Sequence, residues 1–321
     1  MKQCGEHALD LINKLIIKLL SFILLPARPE QFSPEKIKRI VIYGTVGIGN
    51  MVLYSPFFKA LRNHFPKAHI HLIIFTDKRG SEQVLQKSNL VDEISTWVVS
   101  ELSNVQLYNV LPQVFQRMKK WKADLLISRY NTRHIGYNLV TVLSRAPYRI
   151  GHVFEDKWTS DYDYLFNYPV EIDKDEYERD MYLRLGESIG VRTQEKKLFF
   201  CMDGNDEQRA HEFLTMHGIN TGKPFVTVQV GTSKFQKWKK WDTDKWIKLI
   251  KTLLENKVRV VVLGLADEWE RLRNAFGDRD KEPIVAAGKM TLQQTAAIIK
   301  KSRLLVCNDS ALMHIAAAVD T

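Results

Sequence analysis

At 321 residues the chain exceeds one ordinary hydrophobic core and suits two domains of about 100 to 200 residues each. Its 45% hydrophobic and 26% charged residues are an ordinary globular balance, and the net charge of +10 suits an anionic partner or a merely basic, solvated surface. Cys4, Cys201 and Cys307 are odd in number and far apart, which supports neither a disulfide framework nor a zinc site and points to a reducing, cytosolic location.

The first element is the amphipathic stretch ALDLINKLIIKLLSFILLP, within residues 1–32. Asp10, Lys14 and Lys18 interrupt it too often for a spanning helix, and it lacks a signal peptide's cleavage site. At helical spacing Leu11, Ile12, Leu15, Ile16, Leu19, Leu20, Phe22 and Ile23 share one half, with Asp10, Asn13, Lys14, Lys18 and Ser21 opposite. That pattern describes a helix lying in a membrane surface through residues 8–25, or one packed on the protein's own surface. Ile17, Leu24 and Leu25 interrupt its polar half. Pro26 and Pro29 end it.

Residues 33–195 then alternate short Val/Ile-rich strands with helical stretches. KIKRIVIYG, HIHLIIF, ADLLIS and YRIGHVF read as strands. MVLYSPFFKALRNHF, despite Pro56, and HIGYNLVTVLSR read as helices. An acidic, aromatic passage from Asp161 leads to the helical YERDMYLRLGESIG. The pattern restarts over residues 196–321: helix EQRAHEFLTMHG, strand PFVTVQVG, helix TDKWIKLIKTLLE, strand VRVVVLG, helix DEWERLRNAF, strand IVAAG, helix TLQQTAAIIKKS, strand RLLVCND and helix SALMHIAAA. The fold class expected is α/β, with two doubly wound Rossmann-like domains facing across a cleft.

Three strand-to-helix junctions carry chemistry. In YGTVGIGN, Gly44, Gly47 and Gly49 would let a ligand approach the backbone. Their spacing is neither G-x-G-x-x-G nor a P-loop, and a tight turn without a ligand fits equally well. In VGTSKFQKWKKWDTDKW, hydroxyls and lysines beyond a strand end suit a diphosphate better than single-stranded nucleic acid, so no nucleic-acid partner is expected. In NDSALMHIAA, free N–H groups at a helix mouth and the Ser310 hydroxyl would surround an anion. Asp309 as a simple N-cap and His314 as a core histidine remain open from these residues alone.

Taken in order, five stretches resemble glycosyltransferase family nine, the ADP-heptose:lipopolysaccharide heptosyltransferases, over Lys36 to Thr321. GIGNMVLYSPFFKALRNHFP resembles the family's G-D-x(5)-P-x(3)-A-L-R-x(3)-P, KKWDTDKW its K-x-W-x(4)-W, and GLADE its G-x-x-x-E. GKMTL resembles K-M-[ST]-L, and NDSALMHIAAA resembles D-[ST]-G-x-x-H-x-x-A-A. The resemblance implies a GT-B enzyme, inverting and without metal or other cofactor, with the donor, ADP-heptose, in the C-terminal domain and the acceptor in the N-terminal one. It implies that Thr232, Ser233 and Lys239 meet the donor diphosphate, Glu268 the ribose, and Met290 the adenine. Asp309, Ser310, Ala311 and His314 would hold phosphates and sugar, with Lys239 and Asp309 catalytic. Gly47, Gly49 and Asn50 would face the acceptor, a lipid-linked saccharide, and Arg129 and Arg133 could meet its acidic groups or be solvated.

The implied location is cytoplasmic, peripheral on the inner membrane. Two departures stand out: Ala311 replaces a common Gly, and Asn50 replaces the acidic residue usually taken as general base. Family members also continue past AAAVDT, which implies an incomplete C-terminal domain. Asn50 keeps a non-catalytic nucleotide-sugar binder as an alternative. A nicotinamide-dependent oxidoreductase is disfavoured by the glycine spacing.

Overall fold

The computed structural model describes residues 2–27, 29–45, 47–76, 80–98, 116, 122–128, 135–153, 160–173, 175–219, 223–232, 237–276 and 282–321. The chain divides into two compact units. The first comprises Met1–Val46, Pro56–Glu82 and Asn89–Lys196; the second comprises Gly47–Ser55, Gln83–Ser88 and Lys197–Thr321. Two short stretches from the span 33–195 therefore group with the second unit.

The first unit holds six parallel strands: β1 (Arg39–Thr45), β2 (His69–Thr76), β3 (Glu93–Val98), β4 (Leu125–Ser128), β5 (Tyr148–Val153) and β6 (Tyr168–Glu171). Their order is β3-β2-β1-β4-β5-β6, doubly wound about β1. The central strands are apolar without alternation because helices cover both faces; Ile40, Val41, Ile42 and Tyr43 of β1 are all buried. Helices α1 (Lys2–Leu24), α3 (Ile135–Ser144) and α4 (Glu178–Glu187) lie here, as does the carboxyl-terminal half of α2 (Ile48–His64), from Pro56 onward. α1 packs on α3, and its Ile17, fully buried, joins Val41, Tyr43, Leu126, Leu139 and Val140 in one core, with Leu20, Leu24 and Leu25 against it. Ile17, Leu24 and Leu25, which interrupt the polar half in sequence, are thus the residues that dock the helix.

Two motif residues near α2 have structural roles. Pro56 lacks an N–H and leaves the Val52 carbonyl without its helical donor; the Ser55 hydroxyl donates to that oxygen at 2.6 Å. Arg62 donates to the Ala68 and Leu90 carbonyl oxygens and pairs with Asp92 at 2.6 Å, fixing the turn into β2.

The second unit holds four parallel strands in the order β10-β7-β8-β9: β7 (Phe225–Gln229), β8 (Arg259–Leu263), β9 (Ile284–Val285) and β10 (Leu304–Cys307). Its helices are α5 (Gly204–Met216), α6 (Thr243–Glu255), α7 (Ala266–Arg273), α8 (Leu292–Lys301) and α9 (Ala311–Ala318). Asp203 caps α5 with Asp206 in a capping box, and Lys87 pairs with both carboxylates at 2.7 and 2.6 Å. Trp246 and Ile250 of α6 pack with Val228, Val260, Val262 and Trp269 in the core. Among the described residues, no helix is long and apolar enough to cross a membrane.

Candidate active site

Four loops leave the carboxyl ends of the second unit's strands. The strand order reverses between β7 and β10, the point at which a doubly wound sheet opens a crevice for a ligand. Gln229, the last residue of β7, is buried there. Its amide donates to the Gly231 carbonyl oxygen at 2.9 Å, its oxygen accepts the Ser310 hydroxyl at 2.8 Å, and it also hydrogen-bonds the Glu268 carboxylate. Asn308, just beyond β10, donates to the Val230 and Gly231 carbonyl oxygens and accepts the Trp241 N–H at 2.9 Å. Two buried carboxamides therefore lock the three loops together.

Glu268, in the first turn of α7, lies against the backbone of Gly231 and Gly264; a Cβ on either would overlap its carboxylate. Gly264 also has φ +115°, a left-handed region that favours glycine. Burial pushes the Glu268 carboxyl above its usual range, offset by hydrogen bonds from the Leu265 N–H and Gln229. The Gly288 N–H donates to the Gly264 carbonyl oxygen, so the loops after β8 and β9 meet. Half-buried Met290 follows two residues later, and Thr291 and Gln294 form the capping box that starts α8.

Lys239 ends the short 3-10 helix Lys237–Lys239 and pairs with Asp309 at 2.7 Å, just before α9. Ser310 is the N-cap of α9, but its side chain makes no capping bond, being held by Gln229 instead. The first N–H groups of α9 thus start beyond an ion pair that presents Lys239 at the same mouth. Asp309 is not the N-cap. His314, one turn inside, is half-buried; burial lowers its pKa, with Asp309 raising it and Lys239 lowering it further. Burial therefore favours its neutral imidazole. Ala311 opens α9 in a helical conformation, which any L-residue adopts, so the absent glycine leaves no strain.

Gly49 and Asn50 lie in the first turn of α2, within the stretch that groups with this unit. A Cβ on Gly49 would come within 2.8 Å of the His314 ring, whereas Gly47 faces open space. Close approach thus demands only the second glycine. Half-buried Asn50 follows it.

The structure brings Lys239, Glu268, Asp309, Ser310, Ala311 and His314 to the carboxyl ends of one sheet, with half-buried Thr232 just past Gly231. Ser233, Arg129 and Arg133 lie outside the described residues. Sequence reasoning missed Gln229 and Asn308. Their signal was present: each is a carboxamide at the carboxyl end of a mostly apolar run, in VTVQ and LLVCN. Among the described residues no group of three or more His, Cys, Asp or Glu could hold a metal ion.

Residues 114–321, more than half of the chain, match glycosyltransferase family 9 (heptosyltransferase). Lipopolysaccharide heptosyltransferase 2 of Salmonella typhimurium is 22% identical over 302 residues, covering 88% of this chain and 80% of the relative. The solved structure of a glycosyl transferase family 9 protein from Veillonella parvula superposes with a TM-score of 0.72 at 22% identity, covering 88% of this chain and 78% of that one. That of E. coli ADP-heptose LPS heptosyltransferase II gives 0.65 at 20%, covering 88% and 82%. At such identities the structures establish a shared fold, and the family match establishes descent: this chain belongs to glycosyltransferase family 9 and is a glycosyltransferase.

Proposed function

We propose that the enzyme moves a heptose, or a related sugar, from an ADP-linked donor to a lipopolysaccharide core or another lipid-linked saccharide, with inversion and without a metal ion. The observation that carries this reading is Lys239 held by Asp309 at the mouth of α9. A nucleoside diphosphate leaving group gathers negative charge as the glycosidic bond breaks. An ammonium and the free N–H groups of a helix start, fixed in advance, stabilise that charge without reorganising.

The remaining donor contacts are assigned on the same reading. The Glu268 carboxylate, once ionised, accepts hydrogen bonds from ribose hydroxyls, and Gly231 and Gly264 leave it room. Met290 offers an apolar wall for adenine, and Thr232 and Ser233 offer hydroxyls to the phosphates. Asn50 cannot take a proton from the acceptor hydroxyl. General-base assistance, typically worth about 100- to 10,000-fold, is absent from that position, and leaving-group stabilisation carries more of the rate. Gly47, Gly49 and Asn50 would line the acceptor side, with membrane contact through residues 8–25 bringing the enzyme to a lipid-linked substrate on the cytoplasmic face.

The test is turnover of ADP-heptose with heptose-deficient lipopolysaccharide, in EDTA and in Mg²⁺, with the product's anomeric configuration read by NMR. Equal rates in both and an inverted product support the reading. Transfer only with metal, or with retention, would refute that mechanism. ADP-heptose binding without transfer, under conditions where a control family member turns over, would favour a non-catalytic binder.

A further inference from the structure

α1 has two faces, and the protein itself uses only one. Leu20, Asn13, Leu24 and Ile17 fall within about 60° of arc at helical spacing. Asn13 and Ile17 are buried, and Leu20 and Leu24 pack on the core beneath. Leu11, Phe22, Leu15, Leu19, Ile12 and Ile23 form a second arc of about 120°, between 49% and 89% exposed. These are six of the fourteen large apolar side chains exposed among the described residues, gathered on one ridge. Exposed Lys18, and Lys14 paired to Asp10 at 2.9 Å, border this ridge on one side.

We infer that this ridge is a preformed docking surface for an anionic lipid bilayer, held rigid by the core-facing side of the same helix. The chemistry selects that occupant. Phe22 and the leucines fit acyl chains, and Lys18 and Lys14 border them at the level of headgroups. A chain of net charge +10 is drawn to an anionic surface, whereas a second copy would bring like-charged borders together. α1 lies on the bilayer and does not cross it. The surface deepens the reading of a lipid-linked acceptor and rests on that reading for its purpose, but its binding requires neither donor nor acceptor.

Flotation of the full chain with phosphatidylcholine vesicles, with and without phosphatidylglycerol, tests this alongside the double variant Leu15→Ser/Phe22→Ser. The wild type is expected to float with phosphatidylglycerol vesicles, less so at high salt and far less with phosphatidylcholine alone. The double variant should lose at least about 10-fold in partitioning while its thermal midpoint holds, because both side chains face outward. Failure of the wild type to float overturns the inference, as does unchanged flotation of the double variant. Loss of a concentration-dependent dimer in the variant, without any vesicle binding by the wild type, would assign the ridge to a second copy. If flotation behaves as expected while ADP does not bind, the donor reading fails and the lipid surface stands.

Discussion

On the proposed reading Asn50 stands where an acidic general base is expected, and restoring a carboxylate there is informative. Asn50→Asp places an acid in the first turn of α2, where the helix N-terminus tolerates negative charge. If the missing base limits the rate, turnover rises by about 10-fold or more; an unchanged rate would move proton transfer elsewhere. Glu268 makes a second prediction, with a sign. Burial raises its carboxyl above the ordinary range, so it ionises late and ADP affinity should climb as pH rises through that titration. Glu268→Gln should bind ADP about 10-fold more weakly with a flat pH profile; calorimetry across pH 4 to 8 reads both. The candidate site's charged and hydroxyl members, Lys239, Asp309 and Ser310, could be named from the sequence because their types and order suit such chemistry, and the structure brings them together. Gln229 and Asn308 were not, since a carboxamide acquires its meaning only from which three loops it ties.

Among elements, α2 shows how a breaker is accommodated. Ser55 donates to the Val52 carbonyl that Pro56 frees, and its oxygen accepts the Phe199 N–H at 3.0 Å. Ser55→Ala should therefore cost about 1 to 3 kcal/mol of unfolding free energy, measured by urea titration, because one buried and one part-buried backbone group lose their partner. The central strands were readable as continuous apolar runs. β3 and β6 were not: β3 lies at a sheet edge with Glu93, Ser95 and Thr96 along it, and β6 is a four-residue edge strand containing Pro169. Edge strands need only one apolar face and one paired side, so their pattern is weak. α1 was legible as amphipathic. Which arc faces inward was not, because a helix apolar on two sides offers two equivalent choices until its neighbours are known.

At the scale of the molecule, acid sensitivity follows from His71. It is buried in β2, within 2.9 Å of the Ser95 hydroxyl, and desolvation lowers its pKa from 6.5 to about 4 despite the nearby Glu93 carboxylate. Protonation therefore favours the unfolded chain. Stability is present above pH 6.5 and is lost as pH falls toward 4, with uptake of about one extra proton on unfolding from this group. His71→Gln should flatten that part of the pH–stability curve. The two-unit α/β architecture was legible because the strand–helix alternation restarts near residue 197. That Gly47–Ser55 and Gln83–Ser88 group with the second unit was not, because those contacts join residues far apart in the chain.

The central claim is a metal-independent ADP-sugar site centred on Lys239 and Asp309. A thermal-shift measurement with ADP, ADP-heptose and NAD, in EDTA and in Mg²⁺, on the wild type and Lys239→Ala, tests it most directly. A ligand at about 100 times its dissociation constant adds roughly 2.7 kcal/mol, a readable rise. The account predicts a rise with ADP and ADP-heptose that is equal in EDTA and Mg²⁺ and falls in Lys239→Ala. A rise with NAD alone, or one that needs Mg²⁺, would contradict it.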